Sequence, residues 1–325
     1  MRHLLSYSFS RNSPYLRAAV HCRFSRPHLK LIILLVNLWC HTWAQRVCIE
    51  KRLLWRPQNF EKVRLLITAL HRRDSDIYAP YRRAEDDYDA QLRGKDAHEA
   101  MKDTELLVRS KTKLALWVVS NCGGTRDSKK RMSFAQQLIK YGLNLDLFGR
   151  CFSRNISTLD LQGIVRKYKF YFAFENSMHC RDYVTEKFFK NSLLYGAVPV
   201  VLGATKGDYE AIAPAHSFIF AEAFTPEKLV EYLQYLDSNE TAYGEYFAWR
   251  TSSEGALWRH SSVKNKWCQL CRVLHGINVD KYASNVSLNR SVPAASLFRF
   301  HQERHVVPSL SAWWYGTEND YCLKT

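Results

Sequence analysis

Phe170-Tyr-Phe-Ala-Phe174, a polar loop, Thr185-Glu-Lys-Phe-Phe-Lys-Asn-Ser-Leu-Leu-Tyr195, Gly196, and then Val198-Pro-Val-Val-Leu202 form the stretch that decides the fold. Two short, continuously apolar runs flank a segment of helical length closed by a glycine. That is the pattern of a strand, a crossover helix and a second strand parallel to the first. Strands apolar at every position are covered on both faces, as in a parallel sheet with helices on either side.

The pattern repeats outward in both directions. Upstream, Leu114-Ala-Leu-Trp-Val-Val119 reads as a strand, followed by a loop of Asn, Cys and Gly, a helix from about Lys130 to Tyr141, and a further strand at Leu145-Asp-Leu-Phe148. Downstream, Phe218-Ile-Phe220 reads as a fifth strand, and Thr225 is placed to cap a helix with Pro226 at its first position. Leu229, Leu233 and Leu236 of that helix repeat at i, i+4 and i+7, giving one buried face. Such alternation predicts an α/β fold with a parallel sheet, whose ligands bind at the carboxyl ends of the strands. Residues 45–105 have a different texture. Val63, Leu66, Ile67 and Leu70 give Glu61–Leu70 a helical spacing, and the charged stretch Arg82–Glu105 reads as a solvated loop and helix.

Of 325 residues, 46% are hydrophobic, 14% aromatic and 24% charged, which excludes disorder, collagen and coiled coil and suits one large α/β unit or two sub-domains. The net charge of +16 directs attention to acidic partners: nucleic acid, an anionic membrane or a phosphate-bearing small molecule. The charge is unevenly spread. Arg2, Arg11, Arg17, Arg23, Arg26 and Lys30 precede any acid, the first being Glu50. The apolar run Leu31–Cys40, continuing with interruptions to Ala44, follows this basic flank, which reads as a signal anchor with a cytosolic N-terminus. Leu31–Ala44 would make about 21 Å of helix, short of the roughly 30 Å of a bilayer core. A cleaved signal peptide ending at Thr42-Trp-Ala44 therefore stands beside that reading. Either delivers the rest of the chain to the secretory lumen.

Seven of nine cysteines (Cys48, Cys122, Cys151, Cys180, Cys268, Cys271 and Cys322) lie beyond the apolar run, as do glycosylation sequons at Asn155, Asn239, Asn285 and Asn289. Cys268-Gln-Leu-Cys271 lacks a second Cys-x-x-Cys or a His pair to complete a zinc site, and a structural disulfide role fits it better. Seven cysteines leave at least one unpaired, and the connectivity is open.

The chemistry-bearing segment is Phe174-Glu-Asn-Ser-Met-His-Cys-Arg-Asp-Tyr-Val-Thr-Glu-Lys-Phe-Phe-Lys-Asn191. A strand ends at Glu175, a polar loop crosses the sheet's end, and Thr185 caps a helix whose first turn contains Glu186 and Lys187. Helix N-termini carry free N–H groups and partial positive charge, so this turn with Lys187 suits a phosphate or diphosphate. Arg131 offers a second cation from a neighbouring strand end. Taken singly, Glu186, Lys187 and Asn176 read as ordinary surface or loop residues. Together at the end of one βα unit they point to an anionic ligand.

Tyr168-Lys-Phe-Tyr-Phe-Ala-Phe-Glu-Asn-Ser177, Asp182-Tyr-Val-Thr-Glu-Lys187, Gly196-Ala-Val-Pro-Val-Val-Leu-Gly203 and Asp208-Tyr-Glu210 resemble the donor-binding signature of the α1,3-fucosyltransferases, glycosyltransferase family ten. The resemblance reaches back through Arg72-Arg-Asp-Ser-Asp-Ile77 and Trp117–Asn121. It runs forward through Ser217-Phe-Ile219, Tyr246-Phe-Ala-Trp249, the Cys268/Cys271 pair and Trp313-Trp314, covering residues 72–275 and the last few residues. The Cys-Arg-Asp-Tyr-Val-Thr-Glu-Lys version is closer to enzymes that fucosylate the N-glycan core than to Lewis-type ones. The resemblance implies a GT-B-like fold with a Rossmann-like C-terminal donor domain, an inverting reaction from GDP-fucose to GlcNAc of a glycoprotein glycan, and no required metal or other cofactor. It assigns phosphate contacts to Lys187 and Arg131 and the lining of the nucleotide and fucose to Tyr183, Glu186 and Asn176. It also implies a Golgi membrane protein of type II topology, anchored through its N-terminus.

One departure bears on activity. The family's acceptor domain, on the order of a hundred residues or more, precedes the Arg-Arg-Asp-Ser-Asp block, and here only Gln45–His71 lies between that block and the apolar run. The expected organisation is therefore a cytosolic tail at 1–28, an anchor at 29–44, a stem and remnant acceptor domain at 45–108, a donor domain at 109–275 and an extension at 276–325. Glu50, at about the right distance upstream, is the candidate general base. Three classes follow: a fucosyltransferase; a catalytically silent protein that binds GDP-fucose or associates with a complete enzyme; and a nucleic-acid binder. The last is suggested only by charge and lacks a zinc-finger spacing, an RRM signature or a compact basic helix, so no nucleic-acid partner is expected.

Overall fold

Phe170, Phe172 and Phe174 face one side of their strand and Tyr171 and Ala173 the other, and none of the five is more than 1% exposed. A strand with no solvent face must lie inside a sheet covered on both sides. The computed structural model describes residues 69–73, 77–82, 86–88, 90 and 92–260, and this strand is central in it.

Two two-residue strands come first, β1 (Ala69–Leu70) and β2 (Ile77–Tyr78), paired in parallel with each other. The main sheet consists of β3 (Lys113–Val118), β4 (Leu145–Phe148), β5 (Tyr168–Phe174), β6 (Val198–Leu202) and β7 (Ile219–Phe220). All its pairings are parallel, and the spatial order is β4-β3-β5-β6-β7. The chain goes outward from β3 to β4, then crosses back to β5 and continues the other way. The direction of winding reverses between β3 and β5. In doubly wound sheets the crevice at the carboxyl ends of two such strands is where ligands bind.

Helices cover both faces. On one lie α1 (Ala97–Arg109), α2 (Arg126–Lys140), α6 (Pro226–Ser238) and α7 (Glu240–Glu245), which contribute Val108, Ala135, Leu138, Leu229, Leu233, Leu236 and Tyr243 to a core with Trp117, Phe172 and Val200. The other carries α3 (Thr158–Val165), α4 (Glu186–Phe188, continued by a π turn over Phe189–Leu194) and α5 (Lys206–Ile212). There Val165, Phe188, Phe189, Leu193 and Tyr209 pack on Leu116, Tyr171 and Val201. A last helix, α8 (Ser253–His260), sends Trp258 against this second core. Burial of each large side chain contributes about 1.5–3 kcal/mol.

The expected strands are present within a residue or two at their ends, and Thr225 and Pro226 begin α6 with the Thr225 hydroxyl accepting from the Lys228 amide. Other expectations are corrected. Ala69–Leu70, the end of the stretch with helical spacing, is strand β1, while 61–68 lie outside the described residues. Arg82, read as solvated, is buried: its guanidinium lies 4.0 Å from the Trp258 ring centroid and 5.0 Å from that of Tyr88, and it donates to the carbonyls of Trp258 and Arg259 at 3.0 Å each. Two rings and two carbonyls replace the water a surface arginine would keep. The segment Thr185–Tyr195 widens into its π turn where the Ser192 hydroxyl bonds back to the carbonyls of Lys187 (2.9 Å) and Phe188 (2.5 Å).

At the opposite end of the sheet from the crevice, Lys111 Nζ donates to the carbonyl of Arg166 at 3.0 Å and to that of Gly196. Burial, with Arg166 and Arg250 nearby, pulls its pKa down from 10.5 to about 7. Between those two values the unfolded chain holds a proton that the folded chain has released, so this group makes stability rise with pH through that window. Urea unfolding of wild type and Lys111→Met across the window should show a rise in midpoint that the variant lacks; parallel curves would contradict the assignment.

Candidate functional site

Glu175 ends β5 with its carboxylate fully buried. Its amide donates to the Leu202 carbonyl at 2.7 Å, extending the β5–β6 pairing by one residue and fixing the side chain behind the loop. One carboxylate oxygen accepts from the Thr185 amide and hydroxyl, both at 2.8 Å, and the other accepts from Lys187 Nζ at 3.0 Å. Lys187 Nζ also reaches the Thr185 hydroxyl at 2.8 Å and Glu186 at 3.3 Å. The start of α4 thus already holds an internal carboxylate, and the helix-terminal N–H expected to face a ligand is partly occupied by Glu175. What the site offers an incoming anion is the ammonium of Lys187, whose side chain keeps 13% of its surface exposed. Burial opposes that charge, but Glu175 and Glu186 outweigh it and hold Lys187 above the ordinary lysine range. Burial pushes the Glu175 carboxyl upward, against the pull of Lys187.

Room for this arrangement comes from Gly203, just after β6. A methyl group there would meet Glu175 Cβ at 2.6 Å and Cγ at 2.8 Å, so only glycine lets the two strand ends approach this closely.

Arg131, from α2, is 1% exposed and spans the crevice between β3 and β5. It donates to the carbonyl of Phe174 at 2.7 Å and to that of Asn121, beyond β3, at 2.9 Å. Its Nε has no hydrogen-bond partner among the described residues. Burial lowers the pKa of Arg131 and Glu175 supports its charge. The helix carrying it is fixed at its start: the Thr125 hydroxyl bonds the Asn176 carbonyl at 3.2 Å, and Asp127 accepts from the Met178 amide at 3.0 Å. Asn176, 8% exposed, sits directly after Glu175. Tyr183 stands edge-on to His71, with ring centroids 5.5 Å apart, and to Tyr81 at 6.3 Å.

The structure therefore brings Arg131, Asn176, Glu186 and Lys187 together at the carboxyl ends of β3 and β5, with Tyr183 on the adjoining loop. Glu50, Cys268, Cys271, Asn285 and Asn289 lie outside the described residues. Asn155 is exposed. Asn239 caps α7, accepting from the Ala242 amide at 3.0 Å and donating to the Tyr235 hydroxyl at 3.1 Å. Cys122 and Cys151 form a disulfide, and Cys180 is disulfide-bonded as well. Among the described residues no group of three or more His, Cys, Asp and Glu is arranged to hold a metal ion, and no helix is long and apolar enough to cross a membrane.

Three residues with a hand in the site carried no assigned role in the sequence. In the sequence Glu175 marks only a strand end. Asp182 and Asp208 bind Arg73, whose Nε lies 2.5 Å from Asp182, whose amide donates to the same carboxylate at 2.9 Å, and whose Nη2 lies 3.2 Å from Asp208. Arg73 is thereby fastened to the loop that carries Tyr183. The available signal was that both partners belong to ordered blocks of the same resemblance.

Residues 108–289 match the family described as "Glycosyltransferase family 10 (fucosyltransferase) C-term", more than half of the chain. The chain belongs to this family. It is 36% identical over 251 residues to Glycoprotein 3-alpha-L-fucosyltransferase A of Drosophila melanogaster, covering 76% of this chain and 44% of that protein. To Alpha-(1,3)-fucosyltransferase 7 of Bos taurus it is 37% identical over 202 residues, 62% of this chain and 52% of that one. The chain spans about half the length of the curated relatives it matches. A crystal structure of an alpha1,3-fucosyltransferase with GDP-fucose aligns over 54% of this chain and 57% of its own, at 18% identity and a TM-score of 0.40.

Gly203→Ala should force the Glu175 side chain off Lys187 and Thr185 and lower stability by roughly 1–3 kcal/mol, the range for overpacking a close-packed site. Thermal unfolding measures this, and an unchanged Tm would mean that the two strand ends are free to separate.

Proposed function

We propose that this chain is an α1,3-fucosyltransferase that moves fucose from GDP-fucose to GlcNAc of glycoprotein glycans with inversion, working on the luminal side of the Golgi membrane to which its N-terminal segment anchors it. The observation that carries this reading is Lys187, held charged at the carboxyl end of β5 within a family 10 donor half whose other signature residues converge on the same crevice.

In this reading the acceptor hydroxyl attacks the anomeric carbon of fucose from the face opposite GDP. The bond from that carbon to the β-phosphate oxygen breaks, and GDP leaves with the electron pair. Negative charge grows on the diphosphate as the bond stretches, and Lys187 meets it through a charge-assisted hydrogen bond in a site of low water content. Arg131, with both terminal nitrogens engaged by backbone carbonyls, adds its charge from the floor of the crevice and keeps the ends of β3 and β5 in register. Tyr183, Glu186 and Asn176 line the nucleotide and the sugar. The proton of the acceptor hydroxyl passes to a carboxylate, for which Glu50 is the candidate, and side chains rather than a metal neutralise the diphosphate. The name of the Drosophila relative supports a glycoprotein acceptor, and the disulfides at Cys122–Cys151 and Cys180 suit an oxidising lumen.

The test is fucose transfer from labelled GDP-fucose by the full chain, with an N-glycan core and a lactosamine acceptor offered side by side. Transfer to the N-glycan core is expected. Donor binding without transfer to either acceptor would reduce the protein to a GDP-fucose-binding homologue. Lys187→Gln, which keeps a hydrogen-bond partner for Glu175, should weaken GDP-fucose binding about 10- to 150-fold, the equivalent of losing a charged hydrogen bond of about 1.5–3 kcal/mol. Equal affinity in a folded variant would defeat the site assignment.

A further inference from the structure

Two sets of partners compete for Lys187. In the structure its ammonium is satisfied internally, by Glu175, Thr185 and Glu186. In donor binding it must turn outward to a diphosphate. Glu175 cannot follow, because its carboxylate has no exposed surface and its backbone is locked into the β5–β6 pairing. Moving the cation away, and bringing an anion close, leaves a buried carboxylate among groups that do not replace Lys187. Glu186 on α4 is a second negative charge. Tyr171 on β5, Tyr209 on α5 and Tyr81 from the N-terminal segment are neutral phenols. Arg131 on α2 is a cation close enough to feel Glu175, and its terminal nitrogens are committed to backbone carbonyls. An isolated buried carboxylate responds to such a change by taking a proton. The geometry provides for one: the carboxylate oxygen released by Lys187 lies 2.9 Å from the Thr185 hydroxyl, which can accept from a protonated carboxyl.

We infer that Glu175 is a positioning residue that holds Lys187 in the free protein and takes up a proton from solvent when the diphosphate of the nucleotide sugar draws Lys187 away, so that donor binding and proton uptake are one coupled event. This rests on the reading of the crevice as a GDP-fucose site. Burial already inclines Glu175 toward the neutral form before the ligand arrives. By linkage, affinity for the donor should rise as pH falls. The state that binds would be one in which the crevice has exchanged an internal anion for an external one.

The experiment is titration calorimetry of the full chain with GDP-fucose, whose diphosphate is esterified at both ends and does not itself titrate near neutrality. It is run at several pH values between about 5 and 8, at each in two buffers of different ionisation enthalpy, so that the difference counts protons exchanged. The wild type should take up a large fraction of ~1 proton per nucleotide, and Glu175→Gln should take up clearly less, with a flatter dependence of affinity on pH. His71 and His179 are present in both proteins and cancel in the comparison. A purely structural role for Glu175 would change affinity and leave the proton count alone. As a check independent of the variant, the infrared difference spectrum of wild type should gain a protonated-carboxyl band on binding. Donor binding without proton uptake, uptake unchanged in Glu175→Gln, or no new carboxyl band would each overturn the inference while leaving the donor site intact. A wild type that does not bind GDP-fucose at all would overturn the functional reading and this inference with it.

Discussion

A carboxylate with no exposed surface, held between a strand end and the helix that follows it, sets the geometry of this protein's crevice. Glu175 needs every contact it makes: the amide and hydroxyl of Thr185 and the ammonium of Lys187 together replace the water that an ionised carboxyl would otherwise demand. From that requirement follow the entry angle of α4, the outward limit of Lys187 and the need for a residue without a side chain at position 203. An unpaired charge at this depth would cost several kcal/mol, enough to consume much of the stability of an ordinary domain. The cluster is therefore a structural commitment as well as a candidate for chemistry, and the two roles constrain each other.

The sheet was legible in the sequence because its strands are buried on both faces. Val198–Leu202 has no polar residue, and a run of that kind has few other places to go in a chain of this size. The helix at Pro226–Ser238 was legible for a related reason, since a cap, a proline at the first position and three leucines in phase all agree. The short helices were not. Thr158–Val165 and Lys206–Ile212 are each seven or eight residues long and owe their existence to caps at Ser157 and Thr205 and to packing on the sheet, neither of which leaves a periodic signal. The π turn coincides with the back-bonding of one serine hydroxyl, and Arg82 is buried through Trp258, which lies 176 residues away in the chain.

The site divides in the same way. Lys187 could be found because its position follows from local rules: a strand end, a loop, a capped helix. Glu175 stands only ten and twelve residues from its partners, yet nothing in a string of letters distinguishes a strand-end glutamate facing solvent from one turned beneath the loop. Arg73 is harder still. Its partners Asp182 and Asp208 are 109 and 135 residues downstream, and only the fold brings them together. Arg131 was legible in part: its residue type and place on a helix point to the crevice where the structure puts it, whereas the bonds of both its terminal nitrogens to backbone carbonyls, where the sheet changes direction, come only from the fold.

The Cys122–Cys151 bond has a bearing on how such a protein must be made. It links the loop after β3 to the turn after β4, residues 29 apart in sequence, and the segment it encloses contains the whole of α2 with Arg131. Closing a loop of that length in the unfolded chain stabilises the folded form by roughly 3–4 kcal/mol in the chain-entropy account, a large share of what a typical domain has in reserve. In a reducing cytosol this contribution is missing, and the loss falls on the helix that braces the crevice. Oxidation thus becomes a step in assembling the unit that carries the main sheet, and preparations from reducing and oxidising hosts should not be treated as the same material.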